Sequence, residues 1–277
     1  MAIRYSFDLE NFVDRYLGGD MRALADFCVH DPMVSPDQFD GICLGSSDCD
    51  ETDLVWEVYN RLWGLERMPE SPPLDRGMVQ PQYRGDTMNS FNTLFGRPIY
   101  GDPLVVGGDG IVGFVGLRKN GVEDELFDKV LQFWRDYHTI GNFIPMPNAK
   151  FNKRTLNTFR VKWHDYFDQF LRALYNELGG WVLDDDQSFT ALVGTNGFFW
   201  DQYRGEKGWQ EFVERFMLED YCGYGLEPKP LYEGLWYWKG GMSREEYAQA
   251  CHEYIDTATR LIRARGQRMV ARLICDE

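Results

Sequence analysis

The sequence predicts an α-rich α+β protein: mostly helical, with a small antiparallel β-hairpin or sheet. Three observations carry that expectation. Apolar residues recur at helical spacing in five separate segments of the chain. Only one stretch, about 104–117, pairs β-branched runs across a glycine turn. No internal repeat and no Ser/Gly- or Pro-rich linker divides the 277 residues, so one domain is expected. Within it, a loop-rich acidic region of about 1–100 would pack on a helical core of about 122–277.

The elements follow in order. Asp31-Pro32, Ser35-Pro36 and Gly45-Ser46-Ser47-Asp48 are turn signals, so the first fifty residues read as loops. A helix is expected from near Thr52, with Leu54, Val55, Val58, Leu62 and Leu65 at helical spacing. Pro69 ends it, because proline cannot continue a helix interior. Leu104-Val105-Val106 and Ile111–Leu117, joined by Gly107-Gly108-Asp109-Gly110, form the expected hairpin. A second helix covers about 122–137 through Leu126, Val130, Leu131 and Trp134. A third covers about 158–178 and stops at Gly179-Gly180, and a fourth covers about 207–221. The last begins at Ser243-Arg244-Glu245-Glu246, where serine and Glu246 can satisfy each other's free amides. Tyr247, Cys251, Tyr254, Ala258, Leu261 and Ile262 continue it as a stripe toward Met269 and Leu273.

Charge narrows the function classes. With 29 basic and 44 acidic residues the formal net charge is −15, which repels duplex DNA at long range and disfavours it as a partner. The excess is uneven: residues 1–100 hold 8 Arg, no Lys and 17 acids, a net of −9. No apolar run of membrane-spanning length occurs, so no membrane partner is expected, and Asp8 and Glu10 interrupt any secretory signal. A cytoplasmic location is the resulting expectation. The six cysteines form no Cys-x-x-Cys pair and read as free thiols, although Cys43 and Cys49 are near enough in sequence to bridge in an oxidising compartment. No Gly-x-Ser-x-Gly and no Walker A string occurs, which removes the α/β-hydrolase and P-loop readings.

Three segments together carry a resemblance. They are Gly85–Phe91, Tyr137–Pro147 with Asn157 and Arg160 following, and Phe212–Tyr221. The set resembles a bacterial domain family of unknown function. That family carries a Gly/Ser-Asp-Ser/Thr motif, a Tyr-x-Ile-Gly…Pro motif with a downstream Asn and Arg, and a late Phe-Phe-Leu-x-Asp helix. The resemblance implies no activity; it marks which polar residues belong to the pattern.

Two of those segments supply the candidate chemistry. Asp86 reads as a general base or metal ligand, with Thr87, Asn89 and Ser90 orienting a ligand. The structural alternative is that Asp86 or Thr87 caps a short helix. His138 reads as an acid/base group that titrates near neutral pH, Gly141 as a site of tight backbone approach, and Asn142 as a bidentate amide. Lys150, Lys153, Arg154, Arg160 and Lys162 follow with no acid between Asp136 and Asp165, a local +5. Asn157 and Arg160 would then form an anion clamp, with Lys153 and Arg154 beside it. Asp165 and Asp168 with His164 form a weaker cation-site pattern. The arginines at 260, 263, 265, 268 and 272 fit the negative end of a helix dipole.

The expected function is an enzyme-like domain that binds or processes a small anionic ligand, such as a nucleotide or a nucleic-acid end. The sequence names no cofactor. The alternative is a non-enzymatic interaction or regulatory module with a protein partner.

Overall fold

The computed structural model describes residues 53–65, 83–89, 139–147, 167–180, 187–231 and 244–275, with positions 125, 126, 128, 129, 133, 136, 149 and 156. These form helix α1 (Asp53–Trp63), strand β1 (Tyr83–Thr87) and strand β2 (Phe143–Pro147). Helices α2 (Phe167–Gly179), α3 (Gln187–Thr195), α4 (Gly197–Trp200), α5 (Gly205–Arg215) and α6 (Arg244–Cys275) follow. The described region is mostly helical with one small antiparallel ribbon, as the composition and periodicity lead one to expect. Among the described residues no helix is long and apolar enough to cross a membrane.

Helix α6 is the spine. Ala250, Cys251, Tyr254, Ala258, Leu261, Ile262 and Met269 are all fully buried along it, the stripe expected from spacing. It packs on α1, on the short 3-10 turn Ile140–Asn142 and on the turn Glu219–Tyr221. Helix α2 packs on α5, where Tyr175 meets Trp209 edge-on at 5.3 Å. Phe199 of α4 meets Trp200 edge-on at 4.6 Å, and Phe212 of α5 meets Phe216 at 5.1 Å.

Four features differ from the sequence expectation. Helix α1 ends at Trp63, before Pro69, because Gly64 takes φ +65° and its amide closes on the Asn60 carbonyl at 2.7 Å. The fourth helix ends at Arg215 and does not run to 221. The amide of Leu218 bonds to the Val213 carbonyl (2.9 Å) and that of Met217 to the Glu214 carbonyl (3.3 Å). Together they form a Schellman stop in which Met217, at φ 56°, takes the place glycine normally has. Helices α3 and α4 were not foreseen, since Gly194, Thr195 and Gly197 lower their intrinsic propensity. The ribbon also joins distant segments. Tyr83 pairs with Pro147, Gly85 with Pro145 and Thr87 with Phe143, so the glycine leaves room opposite a proline ring. The hairpin expected at 104–117, the Ser243 cap and the loops of 1–52 lie outside the described residues.

Two asparagines close the ends of the β2 segment. Asn142 donates to the Asn89 carbonyl and accepts from its amide (3.1 and 2.8 Å). Asn196 does the same to Ala149 (3.2 and 3.0 Å). Each carboxamide imitates a strand neighbour where the ladder itself has stopped.

Candidate functional site

The site is built from the backbone outward. Asp136 is buried and held bidentately by Arg263 of α6, at 3.1 Å for each contact. Thr139 returns its amide and hydroxyl to the Asp136 carbonyl, at 3.1 and 2.7 Å. This seats Ile140–Asn142 directly on α6. Gly141 is required there: a Cβ at that position would stand 2.1 Å from the Ile262 carbonyl oxygen and 2.8 Å from the Gly266 nitrogen. The expected tight backbone approach at Gly141 is therefore present, and it is made to a helix.

Three polar side chains meet beneath that contact. Asn89, just past β1, donates through Nδ2 to the Tyr221 hydroxyl at 2.9 Å. Its other carboxamide atom, Oδ1, is buried and has no partner among the described residues. Arg265 of α6 is fully buried. Its Nε donates to the Phe216 carbonyl at 2.9 Å, and its Nη1 donates to the carbonyls of Gly141 (2.9 Å) and Phe143 (2.7 Å). Its Nη2 has no partner among the described residues. The guanidinium also lies over the Trp63 ring, 5.9 Å from its centroid.

Burial sets the electrostatics of this group. Desolvation pushes the Tyr221 phenol up to about 12, although Arg265 and Arg268 oppose the shift, so it remains a neutral hydroxyl at physiological pH. The same cause pulls Arg265 down to about 10, which still leaves it cationic at pH 7. Arg265 hydrogen-bonds only carbonyl oxygens. No carboxylate among the described residues pairs with it, whereas its neighbours Arg263 and Arg268 pair with Asp136 and Asp220.

Asn89 and Asn142 come together: the Asn142 carboxamide is committed to the Asn89 backbone, and the Asn89 carboxamide to the Tyr221 hydroxyl. Asp86 and Thr87 lie in β1, paired by register with Ile144 and Phe143. The chain beyond them at Met88 and Asn89 is not helical, so the cap reading of Asp86 or Thr87 does not hold. The motifs around 86 and 138 are thus brought side by side through their backbones. His138, Ser90, Lys153, Arg154, Asn157 and Arg160 lie outside the described residues, as do His164 and Asp165.

Asp168 is buried with both oxygens taken by backbone amides, those of Leu231 (2.8 Å) and Gln169 (3.0 Å). Among the described residues no group of three or more His, Cys, Asp or Glu side chains could hold a metal ion. The buried thiol of Cys222 is pushed up to about 12 and that of Cys251 is pushed up as well, which leaves both un-ionised and poor nucleophiles.

Arg265 and Tyr221 were missed as site residues, yet a signal for the first exists. Tyr254, Ala258, Leu261, Arg265 and Met269 advance by three or four residues, so Arg265 stands in the buried stripe of α6. The helix-dipole explanation of the arginine cluster does not account for that register. Comparison of the chain with protein-family models, curated proteins and solved structures gives no match.

Proposed function

We propose that the chain binds a small anionic ligand, of nucleotide or nucleic-acid-end type, over the Asn89–Tyr221–Arg265 group, and that the site is enzyme-like. The observation that carries the reading is Arg265: a buried cation that, among the described residues, has a free Nη2 and no carboxylate partner, in a chain with 44 acidic residues. A buried charge without a counter-ion is costly, so an anion reaching it is stabilised more than it would be at the surface. In this reading Lys153, Arg154, Asn157 and Arg160 supply the outer clamp, and Thr87 and Ser90 supply hydroxyl donors. His138 and Asp86 serve as acid/base groups.

The test is thermal unfolding with phosphate, pyrophosphate and nucleoside mono-, di- and triphosphates, each against chloride at equal ionic strength. A bound anion raises the midpoint with concentration, following RT ln(1 + [L]/Kd). Arg160→Gln should reduce the rise, and His138→Gln should keep it. If every phosphate probe behaves as chloride does, the reading is wrong.

One observation favours a protein-interaction module instead. Tyr224 is fully exposed on a turn braced by the bond from the Gly223 amide to the Glu227 carbonyl at 2.7 Å. Such a module would leave the midpoint unchanged by phosphate probes.

A further inference from the structure

Among the described residues a second cation also stands without an acid. Arg215, at the end of α5, is half-buried. Its Nη2 donates to the Trp63 carbonyl at 3.0 Å and its Nη1 to the Tyr203 hydroxyl at 3.1 Å. The Trp63 indole returns a bond to the Arg215 carbonyl at 2.8 Å, so the two residues are joined by two bonds. Guanidinium has five N–H groups, and these bonds use two. Glu211, one turn back on the same helix, is felt by Tyr203.

Two phenols surround this cation. Tyr203 is 2% exposed; its oxygen accepts from Arg215, and no described group accepts its own proton. Tyr83, the first residue of β1, is half-buried, and Arg215's charge reaches it as it reaches Tyr203. Burial raises both phenols, outweighing that charge, so both carry their protons at neutral pH and can donate. Tyr83 meets Phe198 edge-on at 6.2 Å and Phe199 at 5.9 Å, and Phe199 meets Tyr203 at 5.6 Å. Phe198 is 47% exposed, one of two large apolar side chains that stand out among the described residues.

We infer that Arg215, Tyr203 and Tyr83 form a second anion subsite, separate from the Arg265 group, that takes an oxyanion borne on an aromatic ring. The guanidinium bonds the Tyr203 hydroxyl, and the Tyr83 ring stands across Phe199 from Tyr203, so this neighbourhood supplies N–H and O–H donors for a phosphate or carboxylate. The exposed Phe198, beside Tyr83, receives the ring that carries it. Arg215, Tyr83 and Phe198 all retain solvent exposure.

The test is titration of the full chain with phenyl phosphate and benzoate, against inorganic phosphate and benzamide, followed by calorimetry. Saturable binding of both aryl anions is expected, with inorganic phosphate and benzamide about tenfold weaker or more at this subsite. Tyr203→Phe keeps the ring in its packing and removes only the hydroxyl. Phe198→Ala removes a half-exposed ring that packs on Tyr83. Each should weaken phenyl phosphate by roughly three- to tenfold in protein that still unfolds cooperatively. Benzamide binding as well as benzoate would overturn the inference. So would wild-type affinity for phenyl phosphate in both folded variants, or no aryl binding at all. Failure here leaves the inorganic-phosphate response of the Arg265 group intact, and failure there leaves this titration intact.

Discussion

Arg265 occupies a place that helical spacing reserves for an apolar side chain, and it fills that place by acting as a hub for carbonyls. It satisfies Phe216, Gly141 and Phe143, whose oxygens would otherwise be buried without donors. Arg265→Met keeps the length and removes the donors. It is expected to lower stability by about 3–5 kcal/mol, read as a fall in the urea midpoint at unchanged slope. A variant as stable as the parent would mean that other donors replace it. Gly141→Ala tests the same contact from the other side. The added methyl meets backbone of α6, which cannot rotate away as a flexible side chain can. A loss of about 3 kcal/mol or more is expected.

Among the elements, those whose local pattern and burial agree were legible. Helix α6 and the helical part of α1 follow their apolar stripes. What escaped is decided by distant partners. Nothing local in Tyr83–Thr87 announces a strand until Phe143–Pro147 lies beside it, and nothing in Phe216-Met217 announces a stop. The strained Met217 is held from outside: Arg268 donates to its carbonyl at 3.0 Å, and Arg265 grips the residue before it. Helix α2 carries the clearest pH-dependent feature. Burial raises Asp168 from 3.8 to about 6, against the two backbone amides that lower it. A raised folded value means that the protonated form fits the fold better. The contribution is therefore complete below pH 3.8 and is lost as pH rises through 6, a span of about 3 kcal/mol. The urea midpoint of the parent minus that of Asp168→Asn should fall across this window; a flat difference would refute the assignment.

At the scale of the whole molecule, three segments far apart in sequence become one polar group. Asn89 and Tyr221 are 132 residues apart, and Arg265 and Gly141 are 124 apart. The sequence could mark each segment as polar and patterned, because that is local information. It could not show that the Asn142 carboxamide bonds the Asn89 backbone at both ends, since that depends on how β1 and β2 pair. A double-mutant cycle on Asn89→Ala and Tyr221→Phe measures the joint. A coupling of about 1 kcal/mol is expected from a buried side-chain bond, and additive effects would show that the two do not cooperate.

The arginine hub also has a consequence for the order of events as the chain is made. Synthesis runs from the N-terminus, and domains generally begin to fold in that direction. The carbonyls of Gly141, Phe143 and Phe216 all precede Arg265 in the chain. A nascent chain must therefore hold these groups in water until the last described helix emerges. Closing loops of more than a hundred residues is slow compared with forming the helices themselves. The polar junction is thus expected to lock last, after the helices around it have formed, with the arrival of a single side chain completing the enclosure.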